Sequence, residues 1–264
     1  FKVRKIGIIG AGQMGAGIAY TSAMQGIKVI LKDVSVTVAN QGKAEVWRML
    51  EKIVNKEKMT KEQADEIMDR VETTDSNTQF EDCDIVIEAV FENADLKKRI
   101  IRDTEQHLQS DTFFATNTAA LPISELAGAS MHPKNYAGMH FFSPVPAVPL
   151  VEIIRGKKTS DETIAKAFDF VLQIGKTPIV VNDSPAHFVS RVSGTYIVEG
   201  LLMLQEGQSP VQIENAGVHS GMPMGPLAFA DSMGFKYILD AEKQMALQLG
   251  AGYKRSSAFS ILEQ

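Results

Sequence analysis

The segment from Gly10 to Gly15 reads Gly-Ala-Gly-Gln-Met-Gly and constrains the fold more than any other part of the chain. It follows a β-branched run, Val3 to Ile9, that predicts a buried parallel strand, and it precedes a helical stretch from Ala16 to Gln25. A second apolar run, Lys28 to Leu31, comes next. This order within about 30 residues predicts the first βαβ unit of a dinucleotide-binding sheet.

Each position of this turn has a physical role in such a unit. Gly10 permits the tight turn, Gly12 lets the backbone approach a pyrophosphate, and Gly15 lets the helix pack closely against the strand. The amides at the helix N-terminus, those of Gln13 and Met14, face the same anion. All five residues are therefore candidate cofactor contacts.

Asp33 indicates which dinucleotide binds. It ends the second strand about 20 residues after Gly10, where a carboxylate accepts hydrogen bonds from the adenosine ribose and repels a 2′-phosphate. We therefore predict NAD rather than NADP, although the cation of Lys32 is the preceding residue. The alternative interpretation is a tight strand–helix turn followed by a solvated aspartate.

Strands and helices continue to alternate as far as Asp183. Apolar runs predict further strands at Ile85–Ala89, Thr112–Ala115, Tyr136–His140, Leu150–Ile154 and Pro178–Val181. The pattern is helical from Val38 to about Val71, with Thr60 as a candidate N-cap. We predict an α/β fold, with a Rossmann-type doubly wound sheet over residues 1–183 and a helical arm near residues 38–71.

After Asp183 the pattern becomes helical. The predicted helices are Val192–Leu204, Pro210–Val218 and Phe235–Leu249, which indicates a smaller all-helical domain over residues 184–264. The run from Ile197 to Leu204 is more apolar than one sheet contact requires, so we predict that this domain contacts another subunit or another domain.

Composition excludes several classes of protein. The chain has 27 Lys and Arg against 32 Asp and Glu, a net charge of -5, which argues against a nucleic-acid partner. No apolar run approaches the ~20 residues of a membrane span, and the chain opens on a strand rather than a signal peptide. The single cysteine, Cys83, precludes an intramolecular disulfide and a cysteine-cluster metal site. We expect a cytoplasmic location with no membrane partner and no metal, and Phe1 in place of Met indicates a piece of a longer protein.

His140 and Glu152 are the candidate catalytic pair. His140 ends the predicted strand Tyr136–His140, and open α/β sheets bind ligands at the carboxyl ends of their strands. Glu152 lies in the apolar run Leu150–Ile154, where a carboxylate is costly to bury unless it is paired. Pairing would hold the imidazole in one tautomer and stabilise its protonated form, as the acid does in a Ser-His-Asp triad. The spacing leaves open a structural histidine, with Glu152 bound to backbone or to an arginine.

Six segments of the chain occur in the same order in a known family. They are residues 10–15, Glu88-Ala89-Val90-Phe91-Glu92, Ala115-Thr116-Asn117-Thr118, Gly138-Met139-His140-Phe141-Phe142-Ser143-Pro144-Val145, Leu150-Val151-Glu152 and Gly221-Met222-Pro223-Met224-Gly225-Pro226. Through these segments the chain resembles the 3-hydroxyacyl-CoA dehydrogenase family, most of all the dehydrogenase part of bacterial multifunctional fatty-acid oxidation proteins. The similarity extends through about residue 240.

The resemblance implies oxidation of L-3-hydroxyacyl-CoA to 3-ketoacyl-CoA in fatty-acid β-oxidation, with NAD reduced to NADH. It implies that His140 takes the hydroxyl proton, that Glu152 orients His140, and that Asn117 positions the 3-oxygen. Ser190 stands before Arg191, where the family often has an asparagine, and is a candidate second contact to the 3-oxygen. The expected partners are an acyl-CoA substrate and either a second copy of the chain or the other domains of a multifunctional chain.

The resemblance also assigns residues to the cofactor. Glu92, Lys97 and Asn117 are expected at its nicotinamide and ribose end. Without the resemblance, Glu92 and Lys97 would be interpreted as a solvated pair at a helix start.

The chain departs from the family pattern at Ala119 and at its end. Ala119 stands where the family usually has a serine whose hydroxyl helps bind the substrate oxygen. The end of the chain, Lys254 to Gln264, does not match the usual family terminus and indicates a truncated or altered end. The alternatives are a catalytically impaired member that binds NAD or acyl-CoA as a scaffold or sensor, and a related dehydrogenase of small hydroxy acids.

Overall fold

The computed structural model describes residues 1–250 and 255–260 and divides into two compact units, Phe1–Asp183 and Ser184–Gln264. The strands are β1 (Lys5–Ile9), β2 (Lys28–Lys32), β3 (Val71–Thr74), β4 (Ile85–Glu88), β5 (Phe113–Thr116), β6 (Tyr136–Phe141), β7 (Leu150–Arg155) and β8 (Thr177–Asn182). The helices of the first unit are α1 (Gln13–Met24), α2 (Val36–Val54), α3 (Lys61–Met68), α4 (Ala94–Glu105), α5 (Ile123–Leu126) and α6 (Asp161–Gln173). The second unit contains α7 (Val189–Gln205), α8 (Pro210–His219), α9 (Pro226–Met233) and α10 (Phe235–Leu249), and its described residues include no strand.

The strands form one eight-stranded sheet in the order β3-β2-β1-β4-β5-β6-β7-β8. Neighbouring strands are parallel except β6 and β7, which are antiparallel. The order reverses between β1 and β4, and the carboxyl ends on either side of this switch point form the crevice where such sheets bind ligands. The predicted Rossmann-type fold is confirmed.

Local sequence explains the helices that cover this sheet. In α1, nine of the residues are buried, and most of them are small, which allows the helix to lie close to the strands. The predicted cap at Thr60 is confirmed as a capping box, because Thr60 and Gln63 each accept a hydrogen bond from the other's backbone N–H.

Cys83 is buried, and burial raises the pKa of its thiol to about 12, so it is protonated and unreactive near neutral pH.

Two elements differ from the sequence-based prediction. The sequence predicts helix to about Val71, whereas α3 ends at Met68 and the strand β3 begins at Val71. This edge strand pairs only with β2 and buries one of its four residues, so it lacks the apolar run that marks a buried strand. The eight-residue helix α9 was also missed, because it begins at Pro226 directly after a glycine- and proline-rich segment that resembles a turn.

Candidate functional site

Five strand ends bring most of the predicted site residues of the first unit to one edge of the sheet. The strands β1, β2, β4, β5 and β6 run parallel, so the residues that follow their carboxyl ends lie along the same edge. These residues are the glycine turn after β1, Asp33 after β2, Glu92 after β4, Asn117 after β5 and His140 near the end of β6.

The glycine turn has the geometry that its sequence predicts. Gly10 adopts a φ of +101°, a conformation that L side chains rarely adopt. A Cβ added to Gly15 would lie 1.8 Å from the carbonyl oxygen of Gly10, whereas a Cβ on Gly12 would meet nothing within 4 Å. The N–H groups of Gln13 and Met14 have no acceptor among the described residues. The turn therefore presents open space and free amide donors, which suit an anionic group.

Two backbone N–H groups, one from the glycine turn and one from the residue after Asp33, orient the Asp33 carboxylate. Its Oδ2 accepts the N–H of Ala11 at 2.7 Å, and its Oδ1 accepts the N–H of Val34 at 2.7 Å. Asp33 is thus tied to the glycine turn rather than freely solvated, and each oxygen keeps a lone pair for a further donor.

His140 and Glu152 face each other across the antiparallel pair of strands β6 and β7. The register places His140 opposite Glu152, and Nδ1 of the imidazole lies 2.7 Å from Oε2 of the carboxylate. His140 is 7% exposed and Glu152 is fully buried. The ring of Phe142 lies against the imidazole, with centroids 4.1 Å apart. The predicted contact between His140 and Glu152 is present.

Asn117 is held by both of the strands beside it. Its backbone N–H donates to the carbonyl of Glu88 at 2.7 Å, and its side-chain Oδ1 accepts the N–H of Phe141 at 3.0 Å. Because Oδ1 is the acceptor, Nδ2 is the free end of the amide and has no acceptor among the described residues. The Asn117 side chain therefore offers two N–H donors next to the His140 strand.

Lys97 is fully buried, so the interpretation of Glu92 and Lys97 as a solvated pair is wrong for the lysine. Its ammonium donates to both oxygens of Glu88, at 2.8 and 3.0 Å, and to the carbonyl of Asn117 at 2.9 Å. Glu92 Oε2 is farther away, at 3.7 Å. The expected contact between Lys97 and the cofactor stays a prediction.

Glu88 is the site residue that the sequence analysis missed. The signal was present, because Glu88 ends the apolar run Ile85–Glu88 just as Glu152 lies in an apolar run, and a carboxylate there needs a partner. The residue that pairs with it, Lys97, lies near the start of α4 and is the first of three consecutive basic residues, a pattern typical of a solvated helix face. Only the folded chain brings the two charges together.

Ala119 lies in the loop after β5, and the loop is held by Glu92. Oε1 of Glu92 accepts the hydroxyl of Thr118 and the N–H groups of Ala119 and Ala120, at 3.0 and 3.1 Å for the two amides. Ser190 lies in the second unit, on the first turn of α7, and its predicted contact with the substrate stays a prediction. Within residues 1–250 and 255–260 there is no group of three His, Cys, Asp or Glu side chains that could hold a metal ion.

Two family models match consecutive parts of the chain. Residues 5–184 match the NAD binding domain of 3-hydroxyacyl-CoA dehydrogenase, and residues 187–263 match the C-terminal domain of the same enzyme. The chain belongs to the 3-hydroxyacyl-CoA dehydrogenase family. The match to the C-terminal domain extends to residue 263, so the expectation that the similarity ends near residue 240 is wrong. The segment Lys254 to Gln264 is predicted to be a truncated or altered end. Within it, Lys254 and residues 261–264 lie outside the described residues.

Solved structures agree with this assignment. An (S)-3-hydroxybutyryl-CoA dehydrogenase from Ralstonia eutropha is 34% identical, with a TM-score of 0.92, and the match covers 99% of this chain and 93% of that one. A 3-hydroxybutyryl-CoA dehydrogenase from Escherichia coli K12 is 29% identical, with a TM-score of 0.89, and the match covers 94% of this chain and 53% of that one. The dehydrogenase part of a multifunctional enzyme from C. elegans is 27% identical, with a TM-score of 0.69, and the match covers 100% of this chain and 60% of that one.

As a 3-hydroxyacyl-CoA dehydrogenase family member, the chain is an NAD-dependent oxidoreductase. The residues present fit this cofactor, because Gly12 leaves open space at the N-terminus of α1 and the first amides of that helix lack acceptors among the described residues. No described helix is both long and apolar enough to cross a membrane.

Proposed function

We propose that the chain catalyses the reversible oxidation of L-3-hydroxyacyl-CoA thioesters to 3-ketoacyl-CoA thioesters, a step of fatty-acid β-oxidation. The observation that carries this proposal is the buried pair of His140 and Glu152, whose Nδ1 and Oε2 atoms lie 2.7 Å apart at the carboxyl edge of the sheet. Oxidation of a secondary alcohol needs a base for the hydroxyl proton, and a histidine held in one tautomer is suited to this step.

His140 takes the hydroxyl proton in this proposal. When Nδ1–H donates to Glu152, Nε2 carries the lone pair that accepts the proton, and the buried carboxylate stabilises the imidazolium that forms. The free Nδ2 of Asn117 donates to the 3-oxygen, because its Oδ1 is already bound to Phe141 N–H. The glycine turn and Asp33 would hold NAD, which would supply the acceptor for the hydride of the substrate carbon. Ser190 is proposed as a second contact to the 3-oxygen.

Reduction of acetoacetyl-CoA with NADH tests the proposed function. We expect oxidation of NADH that depends on the thioester and is absent with free acetoacetate, since the proposed substrate is an acyl-CoA. Turnover of small keto acids without CoA would favour a hydroxy-acid dehydrogenase, and the absence of turnover with retained NADH binding would favour a scaffold or sensor. The cytoplasmic location stays a prediction.

We expect Asp33→Ala to weaken NAD binding by about 1.5–3 kcal/mol, the contribution of a hydrogen bond to a charged group. The change removes the proposed ribose acceptor and also the acceptor of the Ala11 amide in the glycine turn. Fluorescence titration with NADH and NADPH measures both affinities, and selectivity for NADH over NADPH should fall. Asp75→Ala, an exposed aspartate after the neighbouring strand β3, is the matched control. Equal affinity of the parent for NADH and NADPH would contradict the role of Asp33.

We expect Ala119→Ser to raise kcat about ten-fold or more, because a missing donor to a developing oxyanion can cost about 10²–10³-fold in rate. The change adds one hydroxyl to a half-buried position in the loop that contains Asn117, and it should leave NAD affinity nearly unchanged. Steady-state rates at saturating acetoacetyl-CoA measure the effect, with Ala120→Ser as the neighbouring control. A kcat no higher than that of the parent would show that Asn117 or Ser190 already fills this role. Activity in the serine variant alone would identify the parent as a disabled dehydrogenase.

We propose that the second unit forms the contact between two copies of the chain. Its apolar core is small, whereas several of its apolar side chains are half or more exposed: Phe188, Val192, Val211, Val218 and Leu247. Apolar patches of more than about a few hundred Å² usually mark an interface. Light scattering at micromolar concentration is expected to show a dimer that Val211→Asp with Leu247→Asp weakens and Met131→Asp, on the first unit, does not. A monomeric parent would overturn this proposal.

A further inference from the structure

Glu88, the last residue of β4, is a carboxylate that the proposed mechanism does not use. It is fully buried, and three groups donate to it: Lys97 Nζ at 2.8 and 3.0 Å, Thr116 Oγ1 at 2.6 Å and the N–H of Val90 at 2.7 Å. A buried ion pair is costly to desolvate and is weak evidence for stability by itself. Its place at the carboxyl edge of the sheet suggests a role toward the site.

Lys97 connects Glu88 to the site. Besides the two bonds to Glu88, its ammonium donates to the backbone carbonyl of Asn117 at 2.9 Å. Glu92 Oε2 lies 3.7 Å from the same nitrogen, beyond the range of a hydrogen bond. Two carboxylates therefore flank one ammonium, and Glu88 is the one that holds it.

Because Lys97 is held by Glu88, Glu92 remains available to the loop after β5. Its Oε1 accepts the Thr118 hydroxyl and the N–H groups of Ala119 and Ala120. A hydrogen bond between two charged groups is stronger than one to a neutral amide. If Glu88 lost its charge, Glu92 would become the strongest partner for the ammonium and would be drawn away from the loop.

We propose that Glu88 is a positioning residue for the dehydrogenase reaction. By holding Lys97, it keeps the Asn117 backbone and residues 118–120 in place, and Asn117 in turn binds the N–H of Phe141 next to His140. The inference rests on the proposed function, since it takes Asn117 Nδ2 as the donor to the 3-oxygen. A misplacement of about 1 Å in such a group can cost about 100-fold in rate.

Glu88→Gln tests the proposal, since glutamine keeps the shape of the side chain and removes its charge. We expect kcat for NADH-dependent reduction of acetoacetyl-CoA to fall about 10- to 100-fold, with little change in KM for the thioester. Glu72→Gln, an exposed glutamate on β3, should retain the parental values. A parent without turnover refutes the proposed function, whereas an active parent with an equally active Glu88→Gln variant refutes the inference.

The double variant Glu88→Gln with Glu92→Gln separates positioning from a general structural role. It removes the second charge that would attract Lys97, and the single variant Glu92→Gln shows what that replacement does by itself. We expect the double variant to recover part of the kcat lost in Glu88→Gln. Losses that simply multiply would overturn the proposed competition for Lys97.

Thr116→Val provides a milder change if Glu88→Gln folds poorly. It removes one donor to Glu88 from a buried position and is nearly isosteric. We expect kcat to fall roughly two- to ten-fold, the effect of one hydrogen bond, together with faster amide exchange at Ala119 and Ala120. Parental kcat and parental exchange rates in Thr116→Val would overturn the proposal.

Discussion

Replacing His140 with alanine is expected to lower kcat by about 10²–10⁴-fold, the usual effect of losing a general base. The affinity for NADH should remain close to that of the parent, because the base acts on the substrate proton in the transition state and the cofactor contacts come from other strand ends. Steady-state kinetics with acetoacetyl-CoA and titration with NADH measure the two quantities separately. His107→Ala, an exposed histidine of the same unit, is the control and should behave as the parent does.

Glu152→Gln provides the second half of this experiment. Its effect on kcat should be smaller than that of His140→Ala, because the glutamine carbonyl can still accept the Nδ1–H bond that orients the ring. A near-normal rate in His140→Ala would place the base elsewhere. A loss in Glu152→Gln as large as that in His140→Ala would contradict the purely orienting role of Glu152.

Replacing Gly15 with alanine is expected to destabilise the first unit by about 3 kcal/mol or more, at the upper end of the range for overpacking. The new Cβ would lie 1.8 Å from the carbonyl oxygen of Gly10 and 2.9 Å from its carbonyl carbon. Both atoms are backbone, so no side chain can move aside and the first turn of α1 must shift away from β1. Thermal unfolding should show a large decrease in Tm, and NADH binding should be lost because the amides of the turn are displaced.

Gly12→Ala is the matched variant for Gly15→Ala. A Cβ at Gly12 meets nothing within 4 Å, and the φ of Gly12 is -70°, which any residue adopts. Its Tm should therefore fall far less than that of Gly15→Ala, by no more than the loss of an N-cap glycine causes, while NADH affinity should fall because the methyl group occupies the space through which the backbone approaches the pyrophosphate. Parental NADH affinity in Gly12→Ala would contradict the placement of the pyrophosphate at this turn. A Tm for Gly15→Ala equal to that of the parent would contradict the packing argument.

Local sequence determined the dinucleotide turn and most of the sheet. The glycine roles at Gly10 and Gly15 depend on φ values and contacts within a few residues, so a short segment is sufficient to predict them. Apolar runs predicted seven strands, and in β1, β2, β4, β5, β6 and β7 most of the residues in these runs are buried. The edge strand β8 buries none of its residues but still contains the apolar run Ile179-Val180-Val181. The edge strand β3 was not predicted, because only one of its four residues is buried. It pairs with β2, from which the helices α2 and α3 separate it along the chain.

The energetic argument, that a carboxylate within an apolar strand needs a partner, allowed the pairing of His140 with Glu152 but left other partners open, and the family resemblance favoured the pair. The same argument applies to Glu88, which was not predicted as a site residue, and its partner could not be named from the sequence. Lys97 reaches it only because β4, α4 and β5 come together in the fold. Likewise, the N–H of Phe141 on the neighbouring strand binds Oδ1 of Asn117 and so determines that Nδ2 is the free end of the amide. Apolar runs in the sequence thus mark where a carboxylate is buried, as at Glu152. The tertiary structure decided that Lys97 is buried as well and which groups compensate these charges, because the energy of a buried charge depends on atoms that are distant in sequence.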